Sequence, residues 1–108
     1  MKPGCSLIAY LHGKPEKRDE LLAVLSAFVA PTRAEPGCIE YHLHIGQDDP
    51  NLFIFYENWR SRTDLDAHLE QPLLKAFFAR RMDLLEKDVE MQFIAMESPY
   101  EVREGMPQ

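Results

Sequence analysis

Between Cys38 and Ile45 the chain reads CIEYHLHI, where Ile39, Tyr41, Leu43 and Ile45 alternate strictly with Glu40, His42 and His44. A period of two residues marks a half-buried β-strand, because successive side chains point to opposite faces of the pleat. The stretch 46–51 (GQDDPN) has the composition of a hairpin loop, and Leu52–Trp59 (LFIFYENW) then reads as a second strand, most simply antiparallel to the first. This pair fixes the centre of the chain, and what flanks it on each side decides the fold class.

Upstream, residues 6–12 (SLIAYLH) form an apolar run of strand length, with Leu7, Ala9 and Leu11 on one face and Ile8, Tyr10 and His12 on the other. Pro15 suits a first helical position, and Glu16, Asp19 and Glu20 complement a helix N-terminus. Leu21, Leu22, Leu25, Phe28 and Val29 then repeat at three-and-four spacing, leaving Lys17, Arg18 and Ser26 on a solvated face. Pro31 is expected to kink or end this helix within a turn, with Glu35-Pro36-Gly37 as a second stop.

Downstream, Ser61 is placed to cap a helix, with Asp64 three residues on. Leu65, His68 and Leu69 share one side of it, and Pro72 interrupts it or starts a second helical piece. Leu74, Phe77, Phe78, Met82 and Leu85 continue an apolar face, and residues 90–96 (EMQFIAM) alternate as a final strand. The order β-α-β-β-α-β predicts an α+β, ferredoxin-like domain with a four-stranded antiparallel sheet, covering residues 1–97, followed by a polar tail over 98–108. Helices cover one face of such a sheet. Because the strands are apolar on both faces, two sheets are expected to pack face to face in a homodimer.

Composition narrows the partners. The chain has 108 residues, enough for one domain that buries its own core, and 45% of them are hydrophobic against 28% charged. A net charge of -6, with no Lys/Arg run longer than two residues, argues against nucleic acid and against an anionic membrane. No segment approaches the ~18 consecutive apolar residues of a membrane span. Cys5 and Cys38 lack CxxC or Cys/His ligand spacing, and the first residues show no apolar stretch followed by a small-residue cleavage site, so a cytoplasmic protein with reduced thiols is expected.

The polar residues on apolar elements are the candidates for function. His68 lies beside Leu65 and Leu69 and titrates near neutrality, which suits an acid, base or anion-stabilising group; its bland reading is a satisfied structural histidine. Asn58 on an apolar strand needs partners and could lend a hydrogen bond to a substrate oxygen. Trp59 reads as a core anchor at a strand end or as pocket wall, and Glu57 as a structural acceptor or a base. In a regular strand Asn58 and Trp59 point to opposite faces, so both line one pocket only if the strand ends or bulges there. His42 and His44 have the same-face spacing of a two-ligand metal site, for which Glu40 or His12 could supply a third ligand, but an edge or interface role competes and no metal is expected. Tyr10, Tyr41, Phe55, Tyr56, Phe77 and Phe78 are core aromatics by default, among which a planar ligand would find its slot.

The stretches TRAEPGCIEYHLH (residues 32–44) and FIFYENWRSRTDLDAHL (residues 53–69) resemble the antibiotic biosynthesis monooxygenase family, particularly its small quinol-monooxygenase-like members. The resemblance rests on Glu-Pro-Gly-Cys before the second strand, Glu-x-Trp ending the third and Leu-x-x-His-Leu in the next helix. It implies a dimeric α+β barrel and an enzyme that uses neither metal nor flavin, in which an electron-rich phenol, quinol or anthrone is deprotonated and its anion reacts with O₂ to give a quinone. By position, His68 matches the helix histidine, Trp59 the strand-end tryptophan and Glu57 the glutamate before it. The expected catalytic residues are therefore His68 and Asn58, with Trp59, Tyr10, Tyr41, Tyr56 and Phe78 lining the substrate site. Two departures stand out: many relatives carry a histidine after the helix proline, where this chain has Pro72-Leu73-Leu74, and the haem-degrading branch has an axial histidine where this chain offers Phe78. A branch that isomerises a phosphorylated signalling molecule would need phosphate ligands, for which Arg33, Arg80 and Arg81 are candidates. A dimeric ligand-binding domain without turnover is the remaining alternative.

Overall fold

Strands and helices follow one another in the order that the periodicities predict. The computed structural model describes residues 2–100. They form β1 (Cys5–His12), α1 (Arg18–Arg33), β2 (Cys38–Ile45), β3 (Leu52–Trp59), α2 (Arg62–Leu69), α3 (Pro72–Leu84) and β4 (Glu90–Ile94), with a 3-10 turn at Pro15–Lys17 leading into α1. All neighbouring strands are antiparallel, in the order β2-β3-β1-β4, which is the ferredoxin-like α+β arrangement. Of the polar tail expected over 98–108, residues 101–108 lie outside the described residues. Among the described residues no helix is long and apolar enough to cross a membrane.

The two-residue period sorts the central strands into two unlike faces. Leu7, Ala9 and Leu11 of β1 and Phe53, Phe55, Glu57 and Trp59 of β3 are buried, the apolar ones in a single core with Leu21, Leu25 and Phe28 of α1, Leu65 of α2 and Leu74, Phe77 and Leu84 of α3. The register sets Leu7 opposite Glu57, Ala9 opposite Phe55 and Leu11 opposite Phe53, so this face is continuous across the sheet centre. Each fully buried aliphatic or aromatic side chain contributes about 1.5–3 kcal/mol, which makes this layer the main source of stability. The opposite face carries Ile8, Tyr10, Leu52, Ile54 and Tyr56, all half-buried, and no helix covers it.

Three local features depart from the sequence pattern. Pro31 sits inside α1, which continues for two more residues; its missing N–H falls in the last turn, where the helix ends soon afterwards. Met82 is exposed, and Leu84 takes the buried place expected of it in α3. In β2 the alternation breaks at its first step: Cys38 pairs with Trp59 and Glu40 with Asn58, so Ile39 is the extra residue of a bulge and is 42% exposed.

The turn before β2 is locked to the start of α2. Ser61 caps α2 by accepting the Asp64 N–H at 3.2 Å, and the Asp64 carboxylate accepts from Ser61 Oγ at 2.9 Å and from the Arg60 guanidinium at 2.9 and 3.0 Å. The Arg60 N–H donates to the Gly37 carbonyl at 2.9 Å. A Cβ on Gly37 would fall on the Asp64 carboxyl. Gly37→Ala therefore displaces Asp64 from its cap, and a loss of about 1–3 kcal/mol in urea unfolding is expected, of the size seen for overpacked sites; unchanged stability would mean that the turn and α2 are not coupled.

Candidate functional site

His68 is the last buried residue of α2, 2% exposed, and the lock between the Gly37 turn and α2 brings Glu35 against it. The Glu35 carboxylate accepts from His68 Nδ1 at 2.9 Å. With a carboxylate on Nδ1 that nitrogen carries the proton, so the neutral ring keeps Nε2 free as an acceptor. Two aromatic rings hold the imidazole from the sheet side: Trp59 with its centroid at 4.8 Å and Tyr41 in an edge arrangement at 5.4 Å. Trp59 Nε1 in turn donates to Glu57 at 2.9 Å.

Burial drives every perturbed group of this cluster toward its neutral form. Desolvation lowers the pKa of His68 below its ordinary value, although its hydrogen bond to Glu35 and the charge of that carboxylate act in the opposite direction. Desolvation raises Glu57 to about 7, partly offset by the bond from Trp59. It pushes the Cys38 thiol up to about 11 and the Tyr41 phenol well above its usual range, with nearby carboxylates adding to the effect. Near neutral pH His68 is thus an unprotonated imidazole in an apolar enclosure.

That enclosure lies between the sheet and the helices. Glu57, Tyr41, Phe55, Phe77, Phe78 and His68 line it, and as folded it holds about 30 Å³, which is room for a water rather than an aromatic ring. A surface groove of about 410 Å³, bounded by Pro31, Thr32, Glu35, Pro36, Pro72 and Leu73, lies on the other side of Phe28 and Leu74, which line both spaces. Ligand pockets generally hold ~300–1,000 Å³, so the groove has the volume and the inner cavity has the chemistry. Glu35 borders the groove and His68 the cavity, and their hydrogen bond crosses the partition.

The structure divides the residues expected to share one site. His68, Trp59, Tyr41 and Phe78 come together on the helix side of the sheet. Asn58, Tyr10 and Tyr56 stand on the opposite face, because β3 stays regular to its end and residues 56 and 58 alternate with 57 and 59. Asn58 has no donor left for a substrate oxygen: Nδ2 donates to Glu40 at 2.7 Å and to the Tyr56 hydroxyl at 3.0 Å, while Oδ1 accepts from Ser6 Oγ at 2.5 Å. It is a fully buried structural amide of the uncovered face. The bulge that could have reoriented it lies in β2, at Ile39, instead.

His42 and His44 do not gather ligands either. His42 lies 3.2 Å from Arg33 through Nδ1 and 3.5 Å from Glu40 through Nε2, His44 is exposed, and His12 sits near Glu90 at the far end of β1. Among the described residues no three His, Cys, Asp or Glu side chains converge as a metal-ligand set. The arginines considered for phosphate are engaged elsewhere: Arg33 with the Tyr41 carbonyl, Arg80 with Glu20, and Arg81 with Asp88. Glu35 is the member of the site that sequence reasoning missed. In the sequence it belongs to the Glu-Pro-Gly-Cys motif that stops the helix, and only the packing of that turn on α2 shows its partner.

The model of the antibiotic biosynthesis monooxygenase family matches residues 5–80. The uncharacterized protein sll1783 of Synechocystis is 39% identical over 79 residues, a match that covers 73% of this chain and 54% of that one, so the chain spans about half of this relative's length. "Putative monooxygenase Rv0793" of Mycobacterium tuberculosis is 37% identical over 90 residues, covering 83% of this chain and 88% of its own. The solved structure of Rv0793 superposes with a TM-score of 0.83 at 32% identity, over 90% of this chain and 98% of that one. PA3566 of Pseudomonas aeruginosa superposes with a TM-score of 0.84 at 32% identity, covering 91% and 98%.

The raised Glu57 gives the site a pH signature. Between pH 4.5 and about 7 the folded protein keeps a proton that the unfolded chain has released, so this group's contribution to stability falls as pH rises through that window, by up to about 3 kcal/mol. His68 has the opposite sign: its lowered pKa makes stability fall as pH drops below 6.5. Glu57→Gln keeps an acceptor for Trp59 and removes the first effect alone. Urea unfolding at pH 5 and pH 8 should show the variant gaining about 1–3 kcal/mol on the wild type at the higher pH relative to the lower; parallel pH dependences would contradict the assignment.

Proposed function

Because the chain belongs to the antibiotic biosynthesis monooxygenase family, we propose that it is a monooxygenase that oxidises a planar hydroxylated aromatic, a quinol, phenol or anthrone, with O₂. His68 Nε2 takes the hydroxyl proton. The resulting anion gives up electron density to O₂ and forms a carbon–oxygen bond. Return of the proton and loss of water then leave one oxygen atom in a quinone and the other in H₂O. The chemistry drawn here needs neither metal nor flavin, since the electrons come from the substrate itself. The observation that carries this reading is His68: a buried, neutral imidazole, fixed through Nδ1 and facing an aromatic-walled space.

Tyr41, Phe55 and Phe78 supply the wall against which a planar ring stacks, Trp59 backs the imidazole, and Leu74 with Phe28 must move for such a ring to reach from the groove to His68. The uncovered sheet face, with Ile8, Ile54, Leu52 and Tyr56 half-buried on it, supports a homodimer built through that face. The two free thiols, Cys5 and Cys38, agree with a reducing cytoplasm.

Oxygen uptake by protein stripped of metal and flavin, measured with a panel of quinols and anthrones, tests the activity. Uptake above the buffer rate is expected, with kcat/KM rising with pH through a midpoint below 6.5 as His68 loses its proton, and with His68→Ala lowering it about 10²–10⁴-fold. Binding without uptake would assign a ligand-binding role instead. Sedimentation should give twice the 12.5 kDa chain mass, and Ile54→Arg on the uncovered face should give single chains; a monomeric wild type would reject the sheet-to-sheet dimer.

A further inference from the structure

We infer that Glu35 is the positioning residue of the reaction, holding His68 with Nε2 toward the cavity and compensating the imidazolium that forms when the substrate proton arrives. The inference rests on the reading of His68 as the base. Its grounds are geometric. His68 has one hydrogen-bonding side chain among the described residues, and that is Glu35 at 2.9 Å. Trp59 and Tyr41 confine the ring but offer it no hydrogen bond, so they fix its plane and leave its tautomer to Glu35.

The other titratable groups around the imidazole are occupied or unsuited to this task. Glu57 of β3 accepts from Trp59, and Asp64, one turn earlier on α2, is bound to Arg60 and Ser61. Tyr41 and Cys38 of β2 are held in their neutral forms by burial. A cation formed in this enclosure would otherwise stand without a counter-charge, and an uncompensated buried charge is far more costly than a paired one. With Glu35 in place, the proton taken from the substrate hydroxyl stays on Nε2 beside the reacting atoms, where it can be returned to the oxygen that leaves as water.

The position of Glu35 also makes the role separable from mere structure. Its side chain is 15% exposed and borders the groove of about 410 Å³, so truncation opens a site that small carboxylates can reach from solvent.

Two experiments decide the assignment. Histidine ¹⁵N NMR, which needs no substrate, should find wild-type His68 as the Nδ1–H tautomer. In Glu35→Gln the amide oxygen keeps that tautomer, but the His68 titration midpoint moves to lower pH. An Nε2–H tautomer in the wild type, or an unmoved midpoint in the variant, overturns the proposal. In kinetics, Glu35→Gln and Glu35→Ala should each lower kcat about 10- to 100-fold with KM within twofold, and formate should restore activity to Glu35→Ala but not to Glu35→Gln. A loss confined to KM, or equal responses of the two variants to formate, overturns it. A wild type without oxygen uptake counts against the proposed activity alone, while the NMR titration still decides the role of Glu35.

Discussion

The alternation of β3 governs the molecule. Phe53, Phe55, Glu57 and Trp59 point toward the helices, while Ile54, Tyr56 and Asn58 point away, and a strand paired on both sides by β1 and β2 has no freedom to rotate any of them. Both polar residues near its end are buried, so each must find partners or cost about 1–3 kcal/mol. Asn58 finds Ser6, Glu40 and Tyr56 on the open face; Glu57 finds Trp59 under the helices. The two networks are back to back in one strand and share no cavity.

On the helix side, two separate stretches of the chain meet at one imidazole: the turn and β2 bring Glu35 and Tyr41, and β3 and α2 bring Trp59 and His68. The turn reaches α2 because Gly37 leaves room for the Asp64 cap, and the same turn carries Glu35 to His68 one helical turn further on. Desolvation moves His68, Glu57, Cys38 and Tyr41 toward neutrality. A desolvated space opposes the formation of a lone charge, and the Glu35 carboxylate on Nδ1 gives a protonated His68 its counter-charge.

Much of the fold was legible locally. The bounds of β2 and β3, the Ser61 cap and the break at Pro72 follow from short-range signals: alternation, a side chain that satisfies a helix N–H, and a ring that lacks a donor. The places where the pattern misled are those where packing overrides it. Ile39 is pushed into a bulge by the register with Trp59, and Met82 yields its buried place to Leu84. The site was half legible: His68 and Trp59 stood out by type and spacing, whereas Glu35 looked like any acidic residue in a turn.

The sequence by itself determined the order of elements, the sorting of side chains onto two faces of the sheet and the family to which the chain belongs, because each depends on residues within a few positions of one another. The opposition of Asn58 and Trp59 was already implicit in that alternation. Only the tertiary structure decided that β3 stays regular to its end, leaving Asn58 across the sheet from His68, and that Glu35 is the partner of the imidazole. Residues 35 and 68 are joined by the packing of a turn on a helix, and no periodicity along the chain records a contact made across it.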